Sequence, residues 1–135
     1  MTKSLILCLI FASLIFLIID VIWLSITVKS IYRPALGILL NDKPVMWAAG
    51  LFYLIYVISL AMLVLRPALV SQSVFDAFWM GAIFGFVTYG TYNLTNMATI
   101  KDWSAQIVFI DLVWGSILTS FSAAASVYIT KNYFL

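Results

Sequence analysis

Residues Val45 to Leu65 read VMWAAGLFYLIYVISLAMLVL. The stretch holds no Asp, Glu, Lys or Arg, and it has the roughly 20 apolar residues that a helix needs to cross the hydrocarbon of a bilayer. It stops at Arg66-Pro67, where a charge meets a helix breaker. Three more apolar runs flank it, about 5–28, 74–97 and 105–129. All four are continuous, whereas the strands of a membrane barrel would alternate over about 10 residues. The expected fold is therefore an all-α integral membrane protein, a single domain over 1–135 with four transmembrane helices in an antiparallel bundle.

Composition agrees. Of 135 residues, 65% are hydrophobic and 9% charged, against about 25% charged in a soluble domain. A net charge of +2 with scattered basic residues gives no footprint for nucleic acid. The absence of His removes the commonest metal ligand and general base, a Ser-His or Cys-His nucleophile and His-ligated haem. The single Cys8 excludes an intrachain disulfide and a thiolate cluster. No metal site and no cofactor is expected.

Most connections are short, so consecutive spans should be antiparallel neighbours. The longer one, 29–44, mixes Ile31, Tyr32, Leu36, Ile38, Leu39 and Leu40 with Lys29, Arg33, Asp42 and Lys43. It reads as a turn or short helix in the headgroup zone, packed on its own helix ends or acting as a flap. The first run is too long for a signal peptide and is interrupted by Asp20. Lys29, Arg33, Lys43 and Lys101 oppose Lys3, Arg66 and Lys131. This bias leans 29–44 and 98–104 toward the cytoplasm, with orientation nearly undecided.

Two carboxylates, Asp20 and Asp111, fall inside spans, where insertion costs about 2.5–3.5 kcal/mol near a helix centre. At about 1.5 Å rise per residue, Asp20 lies about 5 Å past the centre of the first span and Asp111 about 9 Å before that of the fourth. Tyr89 and Asn93 lie about 5 and 11 Å past the centre of the third. With antiparallel packing, all four share one leaflet. Facing agrees: Gly81, Gly85, Tyr89, Tyr92 and Asn96 share a side of the third span, with Asn93 at its edge. Asp111, Gly115, Ser122 and Ser126 share a side of the fourth. Gly81 and Gly85 form a G-x-x-x-G pair for close helix approach, within the bundle or between two copies.

The segment Ile19-Asp20-Val21-Ile22-Trp23-Leu24-Ser25-Ile26 matches Ile110-Asp111-Leu112-Val113-Trp114-Gly115-Ser116-Ile117 as I-D-x-x-W-x-S-I. Spacing i, i+3 sets each Trp beside the Asp of its own helix, where an indole N–H can donate to a carboxylate. One local device used twice explains the match better than an inverted transporter repeat. The candidate binding residues are Asp20, Trp23, Tyr89, Tyr92, Asn93, Asn96, Asp111 and Trp114, with no catalytic residue assigned.

The run Tyr89-Gly90-Thr91-Tyr92-Asn93-Leu94-Thr95-Asn96-Met97-Ala98-Thr99, followed by Lys101-Asp102-Trp103, resembles a bacterial family of predicted membrane proteins, domain of unknown function 2177. Length, four spans and the two Asp-x-x-Trp motifs are similar as well. The resemblance implies a bacterial membrane protein, with the inner membrane expected, and brings no reaction. Where that family often has Asp, this chain has Asn93.

Carboxylates with amides and phenols suit a proton, a hard cation or a compact solute. Lipids are the expected surroundings, and a homodimer would widen a pathway that four helices leave narrow. The rival class is a membrane-embedded enzyme or accessory subunit acting on lipid, or a hydrolase whose two Asp share a proton. Against the hydrolase, neither Asp follows the signature runs of four-span membrane aspartyl proteases. A light- or haem-binding helper lacks an embedded Lys or His.

Overall fold

The computed structural model describes residues 2–135, and its fold is an all-α bundle of four helices. Helix α1 runs Thr2–Leu39, α2 Met46–Ser71, α3 Val74–Thr99 and α4 Ala105–Phe134. By length and composition, α1, α2 and α4 qualify as membrane-crossing. Helix α3 is as long as α2, 26 residues. Its Thr, Tyr and Asn side chains make it too polar to qualify on the same grounds. That polarity is concentrated in the half that lines the site described below.

Two helices outrun their expected ends. The first does not stop near Val28 but continues through a π-turn, Val28–Tyr32, a short α segment, Arg33–Leu36, and a 3-10 turn, Gly37–Leu39. The second passes Arg66-Pro67 by the same device, a π-turn over Ala61–Leu65 followed by Arg66–Ser71. Both follow-on segments begin Arg-Pro-Ala-Leu. A proline ring collides with the carbonyl four residues back and offers no N–H. Widening the preceding turn to i→i+5 spacing relieves the collision. Accordingly the Arg33 N–H bonds the Val28 carbonyl and the Arg66 N–H the Ala61 carbonyl. Pro therefore bends the register here without ending the helix.

The other boundaries follow ordinary rules. Gln72 adopts a left-handed conformation (φ 56°) that closes α2 and turns the chain into α3. Ser73 caps α3 by accepting from the Asp76 N–H at 3.0 Å, and Ser104 caps α4 by accepting from the Ile107 N–H at 3.3 Å. The Lys131 ammonium donates to the Gln72 carbonyl at 2.7 Å, tying the end of α4 to the α2–α3 turn.

Helices α3 and α4 form the tightest crossing. A Cβ on Gly85 would collide with the Gly115 carbonyl, and one on Gly81 would reach the Ser120 backbone at 3.0 Å. The G-x-x-x-G pair is thus consumed inside the bundle, where absent side chains let backbones touch. The core at this half joins Cys8 and Ala12 of α1, Val64, Leu65 and Ala68 of α2, Ala77 of α3, and Ala123 and Val127 of α4. Large apolar side chains such as Leu14, Ile18, Val21, Leu54, Ile58 and Ile83 point outward. The small interior and apolar exterior place lipid against the outer faces.

Candidate functional site

At the other end of the bundle an aromatic layer replaces the small residues. Phe16, fully buried on α1, packs its ring 5.1 Å from that of Tyr56, and Tyr56 lies 5.2 Å from Phe84 and 6.5 Å from Tyr89. The Tyr56 and Thr119 hydroxyls bond at 2.5 Å and join α2 to α4. Above this layer sit the two carboxylates, Asp20 on α1 (6% exposed) and Asp111 on α4 (8% exposed).

Asp20 receives two hydrogen bonds. The Tyr53 hydroxyl of α2 donates to its Oδ2 at 2.5 Å, and the Trp114 indole donates to its Oδ1 at 3.3 Å. Asp111 also receives two. The Tyr32 hydroxyl donates to its Oδ1, and the Asn93 amide to its Oδ2 at 2.9 Å. The same amide reaches the Tyr89 carbonyl at 3.2 Å, which fixes its orientation. Asn93 Oδ1 is buried without a hydrogen-bond partner among the described residues. Every donor to a carboxylate is neutral: a phenol, an amide or an indole. Lys29, Arg33 and Lys101 are all exposed.

Neither indole of the repeated Asp-x-x-Trp motif bonds the Asp of its own helix. Trp114 serves Asp20, the acid of the other copy. Trp23 donates at 3.3 Å to the Tyr32 hydroxyl, which in turn donates to Asp111. The two indoles stack, centroids 4.1 Å apart and 11° from parallel. The reason is antiparallel packing: a step of three residues moves about 4.5 Å up one helix and about 4.5 Å down the other. Each Trp therefore comes level with the partner helix's Asp. The expectation that each indole serves its own helix's Asp is corrected by that geometry.

No hydrogen bond joins the two carboxylates among the described residues; a Trp114–Trp23–Tyr32 chain links them. An acid pair sharing one proton is not the arrangement seen. Nor do three or more His, Cys, Asp or Glu side chains converge as a metal site among the described residues.

Of the residues expected from sequence, Asp20, Trp23, Asn93, Asp111 and Trp114 belong to this network. Tyr89 and Tyr92 line a cleft beside it, with Phe52, Thr88, Thr91, Thr95 and Asp111, of about 490 Å³. Tyr92 is largely exposed and packs edge-on against Trp103. Asn96 is half-buried and touches neither carboxylate by hydrogen bond. Tyr32 and Tyr53 complete the network and are not among the residues expected from sequence. For Tyr53 a signal existed: it lies as far past the start of the second run as Asp20 lies before the end of the first. Tyr32 carried no such signal, because a helix ending at Val28 would leave it outside the bundle.

An acidic, neutral-donor site inside a bundle of long apolar helices defines a polytopic integral membrane protein. Over residues 5–128 the chain matches the family described as predicted membrane protein (DUF2177), and it belongs to that family. No curated protein and no solved structure matches it.

Proposed function

We propose that this protein is a single four-helix transmembrane domain, α3 completing the fourth crossing, and that it binds a proton, cation or compact solute at Asp111 as a unit of transport. One observation carries the reading: Asp111 is buried, receives only neutral donors, and still borders an open cleft. A carboxylate held away from water without a counter-charge is costly. A proton or a bound cation supplies the missing positive charge. Asp20, closed off by Tyr53 and Trp114, acts as the buttress that orients the indole pair and, through Tyr32, the acceptor. Tyr89, Tyr92 and Asn93 shape the pocket, and Asn96 stands at its margin.

Four helices enclose little volume, so a second copy would complete a pathway across the bilayer. The bias of Lys and Arg, four against three, leans 29–44 and 98–104 toward the cytoplasmic side of a bacterial inner membrane. The apolar cleft supports a second reading, an enzyme or accessory subunit acting on lipid. That reading requires product turnover by purified protein in lipid mixtures.

The test is flux into sealed vesicles under an imposed proton or cation gradient. Asp20→Asn and Asp111→Asn should each abolish coupled flux while the protein stays inserted. Wild-type behaviour of both variants in every transport and binding assay would end the transport reading.

A further inference from the structure

Resting on the reading of Asp111 as an intramembrane acceptor, the geometry points to a single-chain amphiphilic cation as the ligand: a cationic head against Asp111 and an apolar chain in the cleft between α2 and α3. The cleft wall is less polar than its sequence suggests. Thr88, Thr91 and Thr95 turn their hydroxyls back onto their own helix, the first two to the Phe84 and Val87 carbonyls at 2.8 and 2.7 Å and the third to the Thr91 carbonyl. What they offer the cleft is methyl groups, beside the rings of Phe52 and Tyr92. Apart from Asp111 and the Tyr89 and Tyr92 hydroxyls, a hydrated ion or a sugar would leave most of its polar surface unpaired along such a wall.

Size and access fit an amphiphile. The volume, about 490 Å³, lies within the range of roughly 300–1,000 Å³ usual for small-molecule sites. The wall extends about 10 Å along α3 between Thr88 and Thr95, long enough for a chain laid lengthwise. Phe52, Thr91, Tyr92 and Thr95 are exposed on the outer face, so the opening is sideways, toward lipid. Charge selects the head. Each Asp111 oxygen accepts one neutral donor and keeps further lone-pair capacity. A cation arriving with the ligand would displace the proton that otherwise balances the carboxylate.

The experiment is equilibrium dialysis of radiolabelled dodecyltrimethylammonium, tetramethylammonium and dodecanol against the full chain in lipid nanodiscs, with partition into empty nanodiscs subtracted. Wild-type protein should retain dodecyltrimethylammonium at least about tenfold more tightly than tetramethylammonium or dodecanol. Asp111→Asn should lose at least about tenfold of that binding, and Thr91→Trp, which fills the cleft, should weaken it several-fold. Far-UV circular dichroism selects folded variants; if Asp111→Asn fails that test, Thr91→Trp and the three-ligand comparison decide. Tetramethylammonium binding as tightly as the long-chain cation, and lost in Asp111→Asn, would overturn the amphiphile and leave the acceptor role standing. Dodecanol retained as well as the cation would overturn the charged head. Binding of both cations unchanged by Asp111→Asn would overturn the amphiphile and the acceptor together.

Discussion

Trp23 and Trp114 stack at 4.1 Å; Trp114 donates to Asp20 on the other helix, and Trp23 donates to Tyr32 of its own helix, which in turn donates to Asp111. The pair works as a clamp: stacking holds the ring planes, and each N–H keeps its acceptor, Asp20 for Trp114 and Tyr32 for Trp23. Aromatic stacking contributes about 0.5–1.5 kcal/mol beyond burial, and a hydrogen bond to a charged group about 1.5–3 kcal/mol. The second exceeds the roughly 0.6 kcal/mol average for hydrogen bonds between membrane helices, and the first spans it.

A double-mutant cycle tests the clamp. Trp114→Phe keeps a stacking ring and removes the donor to Asp20, and should cost about 1–3 kcal/mol of stability. Trp23→Phe leaves Asp111 its own two donors and should cost less. The two should couple by about 0.5–1.5 kcal/mol in reversible unfolding monitored by tryptophan fluorescence. Strict additivity would mean that the two indole hydrogen bonds do not depend on one another.

The helix crossing makes a sharper contrast. Gly85→Ala would drive a methyl group into the Gly115 carbonyl, whereas Gly50→Ala meets nothing within 4 Å. Overpacking of this kind costs about 1–3 kcal/mol. Replacing an unobstructed helical glycine by alanine should stabilise by up to about 1 kcal/mol. Opposite signs in the midpoint of thermal unfolding are expected, and equal effects would contradict the tight α3–α4 contact.

Pro34 sets the position of Tyr32. With Pro34→Ala the π-turn Val28–Tyr32 can close to an ordinary α turn, which rotates one flank of the turn against the other by about 100°. The Tyr32 hydroxyl then loses its line to Asp111. Cation binding at the site should fall about tenfold in titration calorimetry, with membrane insertion unchanged. Unaltered binding would show that the π-turn has no part in building the site.

These elements explain what was legible in the sequence. Hydrophobic runs marked the four helices, since length and apolarity are local properties. Asp20 and Asp111 stood out because a charge at membrane depth is costly, and Asn93 because it lay at matching depth in a polar stretch. The helices run on beyond the apolar runs that end near Val28 and Leu65, because a proline ends a helix only when the turn before it cannot widen. Tyr32 lies on that continuation, beyond the apolar run, and so carries no signal of membrane depth in the sequence. Tyr53 was hidden in the most apolar run, where a phenol reads as an interfacial or packing residue. The crossed Trp pairing depends on the relative height of two helices whose paired residues, Trp114 and Asp20, lie 94 positions apart, which no local spacing encodes.

Proton release tests the central claim most directly. Dodecyltrimethylammonium added to wild-type protein in weakly buffered nanodiscs should release protons, read by a pH-sensitive dye, in proportion to the cation bound. Asp111→Asn should release none above empty nanodiscs. Equal release from wild type and Asp111→Asn would contradict Asp111 as the intramembrane acceptor.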